Sequence, residues 1–241
     1  MLMLNYKDKI CQDISENDDM YLGNKDHYFG VGESALKNII ISLDLAKKEK
    51  CLKILDMPSG YGRVLRYLKA EFPDAQITAC DLEKKMVDFC VKTFNVKGIY
   101  SDKNLMNLKL EDKFDLIWCG SLFTHLNKDL WSSFFKFFYD HLAEKGILIF
   151  TTHGRYVANR MINKECDYGL LKEKIPAIFD SYIKTGFGYD NYHNNNEYGI
   201  SISSFPWVYA ELEKFKDFRI ILFSEKSWDN HQDVTACIKE S

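Results

Sequence analysis

Between residues 51 and 152, five short segments (CLKILDM, AQITACD, KGIYSD, FDLIWCG and GILIFTT) alternate with stretches whose apolar residues recur at helical spacing, among them EKKMVDFCVKTF and KDLWSSFFKFFYDHLAEK. Strands separated by helix-length stretches need crossover connections, and such crossovers build parallel sheets with right-handed βαβ units. The pattern therefore predicts a three-layer α/β/α sandwich. Upstream, ESALKNIIISLDLAKK reads as a helix, with Gly32, Glu33 and Ser34 as a plausible start, so residues 1–32 are expected to form an N-terminal arm or lid. Residues 154–204 break the rhythm and are expected to be an insertion of loops and short helices within a domain spanning 33–241. The rhythm resumes with a helix from about Pro206 and two strands, FRIILFS and DVTACIK, joined by the polar loop EKSWDNHQ. Two strands joined this way form a hairpin, which makes the last strand of a mostly parallel seven-stranded sheet antiparallel.

The chain's 241 residues and 46% hydrophobic content suffice for one domain with an elaboration. A net charge of -3 with mixed signs disfavours nucleic acid or a polybasic membrane contact and leaves a small, neutral or mildly charged ligand open; a monomer or homodimer is expected. No apolar run spans a bilayer, and the first residues turn charged too early for a secretory signal. The 7 cysteines are scattered without a C-x-x-C pair, which fits a reducing cytoplasm and gives no metal site.

The turn after the first strand, ILDMPSGYGRVLRYL, carries the most specific signal. Turns at the carboxyl ends of parallel strands hold ligands, glycine lets the backbone approach them closely, and the following helix offers free N–H groups. A phosphate-binding P-loop would need Lys-Ser or Lys-Thr, which is missing. A dinucleotide fingerprint would need a third glycine where Leu65 stands, and Asp56 would repel a pyrophosphate. An acid at the strand end matches a cationic ligand better.

With those residues in view, the stretch resembles motif I (D-x-G-x-G-x-G) of the class I S-adenosylmethionine-dependent methyltransferases, which implies a Rossmann-like fold, S-adenosyl-L-methionine as cofactor and S-adenosyl-L-homocysteine (SAH) as product. The resemblance covers residues 33–153 and the final hairpin in outline. It implies that Asp56, Ser59, Gly60 and Gly62 form the cofactor loop and that Arg63 meets the cofactor carboxylate. Asp81, 21 residues beyond Gly60, would hold the ribose, with Leu82 against the adenine and Ser101 and Asp102 at its edge. A backbone carbonyl near Cys119 or Gly120 would take the ammonium. The sequence departs from the family where Pro58 replaces the first glycine, so the loop donors are expected from Ser59 to Arg63.

Methyl transfer requires alignment and exclusion of water, and a hydroxyl acceptor also requires a base. His125, His153 and His231 follow strand ends on the cofactor side and are the candidate bases; each also fits a structural role in capping or pinning a loop. His141 is expected to be structural. Pro176 to Ala210 holds nine aromatic residues. Together with Tyr156 and His193, the side chains of Tyr189, Tyr192, Tyr198 and Trp207 are candidate acceptor contacts, making the insertion an acceptor-binding lid; a core or an interface would use them equally well. Tyr21, His27 and Tyr28 are candidate contacts from the N-terminal arm. GSLFTHL and SWDNHQDV resemble bacterial enzymes that decorate surface polysaccharides, which implies O-methylation of a sugar or phosphate-type group on a nucleotide-linked capsule precursor. The alternatives are a small-molecule N-methyltransferase, although CGSLFT lacks an Asn-Pro-Pro-Tyr type motif, and a non-catalytic cofactor-binding subunit.

Overall fold

The computed structural model describes residues 9–193, 195 and 198–241. Residues 1–8 of the expected arm, and 194, 196 and 197 of the expected insertion, lie outside the described residues. The central sheet has seven strands: β1 (Lys53–Asp56), β2 (Gln76–Asp81), β3 (Lys97–Tyr100), β4 (Phe114–Cys119), β5 (Leu142–Thr152), β8 (Phe218–Trp228) and β9 (Gln232–Lys239). Their order is β3-β2-β1-β4-β5-β9-β8. The first five strands are parallel, and β9 runs antiparallel to both β5 and β8, as the terminal hairpin predicts. The strand order reverses between β1 and β4, which puts the ligand crevice outside their carboxyl ends.

Alternating side chains feed the two faces of the sheet. Ile54, Leu116, Ile147 and Ile149 pack toward α1 (Lys25–Leu45), α2 (Leu65–Glu71) and α3 (Lys84–Phe94). Leu55, Ile117, Leu148 and Phe150 pack toward α4 (Lys128–His141) and α7 (Phe205–Leu212). Trp131, Phe134, Phe135 and Phe138 form the buried stripe of α4. Phe123, in the loop after β4, stacks on Phe135 at 4.6 Å and touches Phe150 at 5.1 Å. This plug anchors the loop that carries His125.

Three boundaries differ from the sequence expectation. Helix α1 starts at Lys25, where the Asn24 side chain accepts the His27 N–H at 3.0 Å, so the arm ends eight residues earlier than expected. Gly32 is a packing site inside the helix: a Cβ there would lie 2.4 Å from the Arg63 carbonyl oxygen. Helix α4 gives way to β5 at Leu142 because that residue already pairs with Phe114 of β4. The loop expected between the last strands is mostly strand, since β8 continues to Trp228 through a bulge between Ser224 and Trp228.

The insertion contains α5 (Arg155–Ile162), α6 (Ile175–Thr185) and a hairpin of β6 (Phe187–Asn191) and β7 (Gly199–Ser203), which sequence reading did not foresee. It has its own small core built on Val157, Met161, Ile178, Ile200 and Ile202. Strand β7 spans the ends of β4 and β5: Ser201 N–H donates to the Thr124 carbonyl at 2.8 Å, and Ser203 N–H to the His153 carbonyl at 2.8 Å.

Candidate functional site

Asp56 and Asp81 end the neighbouring strands β1 and β2, and both are buried. Burial, reinforced by the nearby Asp81 charge, pushes the Asp56 carboxyl well above the usual range. Asp56 Oδ2 and Ser59 Oγ are buried without a hydrogen-bond partner among the described residues. Orphaned acceptors are costly unless a ligand satisfies them. Asp81 accepts the Gly60 N–H at 2.8 Å on Oδ2 and the Glu83 N–H at 3.1 Å on Oδ1; burial nonetheless raises its pKa.

The two loop glycines do different jobs. Gly60 has φ +51, and a Cβ there would meet nothing within 4 Å, so its open face admits a ligand. Gly62, at φ +77, would drive a Cβ to 2.4 Å from the Phe94 ring, so its purpose is close packing on α3. The expected backbone donors are largely spent within the protein, which corrects the sequence reading: Ser59 N–H donates to the Cys80 carbonyl, Gly60 N–H to Asp81 and Gly62 N–H to the Ser59 carbonyl. Pro58 contributes no donor.

Leu82 is 46% exposed at the end of β2, an apolar surface left bare. Ser101 N–H donates to the Asp81 carbonyl, while Asp102 is exposed and its Oδ1 accepts the Asn104 N–H in a tight turn. Cys119 and Gly120 are buried at the end of β4, and a Cβ on Gly120 would lie 2.9 Å from Trp118 Nε1. Arg63 lines a cavity of about 50 Å³ with Ser121, Trp228, Asp229, His231 and Gln232. Its guanidinium lies 5.9 Å from the rings of Tyr28 and Trp228, burial lowers its pKa, and among the described residues it has no ion pair. Open backbone at Gly60, two orphaned oxygens in the same loop and the Arg63 cation three residues on make a set of groups whose chemistry fits S-adenosylmethionine.

Sequence reading missed Ser121, Gln232, Trp228 and Tyr168. Gln232 Nε2 donates to Ser121 Oγ at 2.7 Å, and Gln232 Oε1 accepts from Thr151 Oγ1 at 2.6 Å, which stitches the ends of β4, β5 and β9 together. Ser121 lies inside GSLFTHL, and Trp228 and Gln232 inside SWDNHQDV, which was the hint the sequence offered.

The structure gathers all three candidate histidines at one rim. His153 is buried after β5, and its Nδ1 has no partner among the described residues. Burial, then the charges of His231 and His125, hold it well below the ordinary histidine range, so it is neutral. The His231 ring lies 5.6 Å from it, and His231 Nε2 is 3.2 Å from Tyr168 Oη. His125 is half-buried; its Nδ1 bonds the Gly199 carbonyl at 2.8 Å and its ring stacks on Tyr198 at 4.6 Å. Burial lowers the pKa of both His125 and His231. His141 bonds the Phe137 carbonyl at the end of α4, away from this rim.

The aromatic candidates divide. Tyr192 Oη lies 3.4 Å from His125 Nδ1, Tyr198 covers the same ring, and Tyr156 faces His231 at 6.0 Å. Tyr189 is bound to Asn191 through its hydroxyl and packs on the α4 core. His193 is exposed. Trp207 stands at the edge of the core, 4.4 Å from Phe187 and 4.8 Å from Trp131, so its contacts are those of packing rather than of an acceptor pocket. In the arm, Tyr28 is buried with its hydroxyl donating to Asp18 at 2.6 Å, Tyr21 packs edge-on against it, and His27 pairs with Asp229 at 3.0 Å beside the Arg63 cavity.

Sheet order, antiparallel closing strand and acid-glycine loop together define the class I methyltransferase architecture. Residues 54–146 match the model of the family described as "Methyltransferase domain". Among curated proteins it is 32% identical over 131 residues to a malonyl-[acyl-carrier protein] O-methyltransferase of Bacillus cytotoxicus (54% of this chain, 45% of that protein). It is 31% identical over 132 residues to the protein of the same name from Bacillus anthracis (54% and 48%). The chain thus spans about half the length of the curated relatives it matches. Among solved structures, Streptomyces venezuelae DesVI superposes with a TM-score of 0.62 at 11% identity, covering 94% of this chain and 99% of that one. The magnesium protoporphyrin IX methyltransferase of Synechocystis with bound SAH gives 0.60 at 11% identity, covering 94% and 90%. These likenesses establish the fold. Among the described residues no helix is long and apolar enough to cross a membrane, and no cluster of three or more His, Cys, Asp or Glu side chains could hold a metal.

Proposed function

We propose that this chain transfers a methyl group from S-adenosylmethionine to an oxygen of a small acyl carboxylate. The observation that carries the reading is the open face of Gly60 beside the orphaned Asp56 and Ser59 oxygens, inside the segment that matches the methyltransferase family. Bound cofactor supplies an electrophilic methyl group on a sulfonium centre. In this reading Asp81 holds the ribose, Leu82 covers the adenine, Arg63 meets the carboxylate, and the backbone at Cys119 and Gly120 takes the ammonium.

The names of the two Bacillus relatives support an oxygen acceptor on a malonyl group. They lend no support to the surface-polysaccharide acceptor expected from the short motifs, and an acyl carboxylate takes its place. Such a group is ionised at neutral pH, so the rim has only to align it and exclude water. The three rim histidines favour a second acceptor, a sugar hydroxyl on a nucleotide-linked precursor. That acceptor needs a base, and neutral His153 or His125 would take its proton. The 154–204 insertion, folded over both histidines, acts as the acceptor lid in either case.

The test is incubation of the purified chain with methyl-labelled S-adenosylmethionine and either malonyl-loaded acyl carrier protein or a mixture of nucleotide-linked sugars. Base-labile label on the malonyl group is the expected result. Label confined to the sugars would replace the first acceptor with the second, and absence of SAH binding in calorimetry would end the methyltransferase reading.

A further inference from the structure

A depression of about 370 Å³ opens between the first turns of α5 and the bulged part of β8, lined by Arg155, Tyr156, Asn159, Glu225 and Lys226. The bulge re-aims Lys226, whose backbone sits at φ +53, a conformation unfavourable for a residue with a Cβ. The conformation is held by its N–H, which donates to Asp233 Oδ1 at 2.9 Å.

The ion pairs at the mouth leave the Lys226 ammonium without a contacting carboxylate among the described residues, while buried Asp233 lies within electrostatic reach of Arg155 and Glu225. Arg155 is neutralised by Glu225 at 2.5 Å, and Arg160 pairs with Glu165 at 3.3 Å. Lys226 Nζ stands over the Tyr156 ring, 4.0 Å from its centroid, with no carboxylate partner among the described residues. Tyr156 also links the depression to the inner site: its ring is 6.0 Å from that of His231, which lines the small cavity beside Arg63 and Ser121. A ligand lying beside Tyr156 would therefore have one end at an ammonium without a contacting carboxylate and the other pointing past His231.

We infer that this depression is the entry subsite for an oxyanion on the acceptor other than the oxygen that is methylated, a second carboxylate or a phosphate group held by Lys226 and Arg155 beside the Tyr156 ring while the reacting end passes His231. As a description of the acceptor, it rests on the methyltransferase reading above. As an anion site, it stands on its own geometry. Lys and Arg together suit a small oxyanion, the ammonium as a point charge and the guanidinium as a fork that can exchange Glu225 for the ligand.

The test is amide NMR on the ¹⁵N-labelled full chain at low salt, titrated with malonate, with inorganic phosphate and with uncharged malonamide, each with and without SAH. Saturable shifts confined to residues 155–159 and 224–228 are expected with the anions, and none with malonamide. Lys226→Ala should weaken anion binding about tenfold, the loss of one charge-assisted contact, while Lys226→Arg should stay within about twofold of the native chain. Calorimetric affinity for SAH should be the same in all three proteins. Stronger shifts with malonate or with phosphate would identify the oxyanion. Non-saturating shifts spread over the surface lysines, equal binding of malonamide, or an unchanged Lys226→Ala titration would overturn the inference. A native chain that binds the anions here but not SAH would sink the methyltransferase reading and leave the anion site standing.

Discussion

Replacing Gly60 and Gly62 separately by alanine should split ligand binding from stability. Both occupy left-handed backbone, at φ +51 and φ +77, so each alanine costs about 1 kcal/mol in backbone strain. At Gly60 that is the whole stability cost, because the new methyl group meets nothing within 4 Å. For a chain of this size about 1 kcal/mol corresponds to a melting shift of roughly 2–4 °C. At Gly62 the methyl group arrives 2.4 Å from Phe94 Cε2, and overpacking adds about 1–3 kcal/mol, for a fall of roughly 5–15 °C in all. The order reverses for the ligand. The Gly60→Ala methyl group occupies the face the cofactor would approach, and affinity for SAH should drop about tenfold to a hundredfold, again by overpacking. Thermal melts with and without SAH, together with calorimetry, read both quantities. Phe94→Leu should recover part of the Gly62→Ala loss in a double-mutant cycle. Native affinity in Gly60→Ala would refute the placement of the ligand, and equal melting of the two variants would refute the distinction between the glycines.

Asp81→Asn keeps one acceptor oxygen but gives up the charge and the second, so calorimetry should show SAH binding weakened about tenfold or more; an unchanged affinity would remove Asp81 from the cofactor site. Burial holds the Asp233 carboxyl up to about 6 in the folded chain, above its unfolded value near ~3.9, so its contribution to stability is complete below about pH 4 and is lost as pH rises through 6. Asp233→Asn should therefore gain roughly 2 kcal/mol relative to the native chain between pH 4.5 and pH 8 in urea unfolding, and a pH-independent difference would contradict the assignment. Trp207→Ala should cost about 2–3 kcal/mol in the same measurement, through its lost contacts with Trp131 and Phe187, with the acceptor KM unchanged. A raised KM at native stability would return Trp207 to the acceptor site.

The strand-end turn proposed to hold the cofactor was legible before any coordinates because it is local. Asp56, Gly60, Gly62 and Asp81 lie at the ends of two consecutive strands, and a turn that must leave a strand, expose backbone and start a helix writes its demands into adjacent residues. The sheet was legible for the same reason, since apolar runs and helical periodicity report burial segment by segment. Even within the loop, sequence could not separate the two glycines, because Phe94, which makes Gly62 necessary, stands 32 residues away.

The acceptor side was decided by tertiary structure. His125, His153 and His231 are spread over more than a hundred residues and meet only because β9 inserts beside β5 and β7 spans the loops after β4 and β5. The β6–β7 hairpin left little trace in its Asn-rich segment, and Trp207, which composition grouped with the lid tyrosines, was claimed by the α4 core instead. By itself the sequence determined where strands end and which turn leaves its backbone bare, since those are properties of neighbouring residues. Which distant side chains share the rim, which of them stay neutral and which only fill space depend on burial, and burial exists only once the layers have closed.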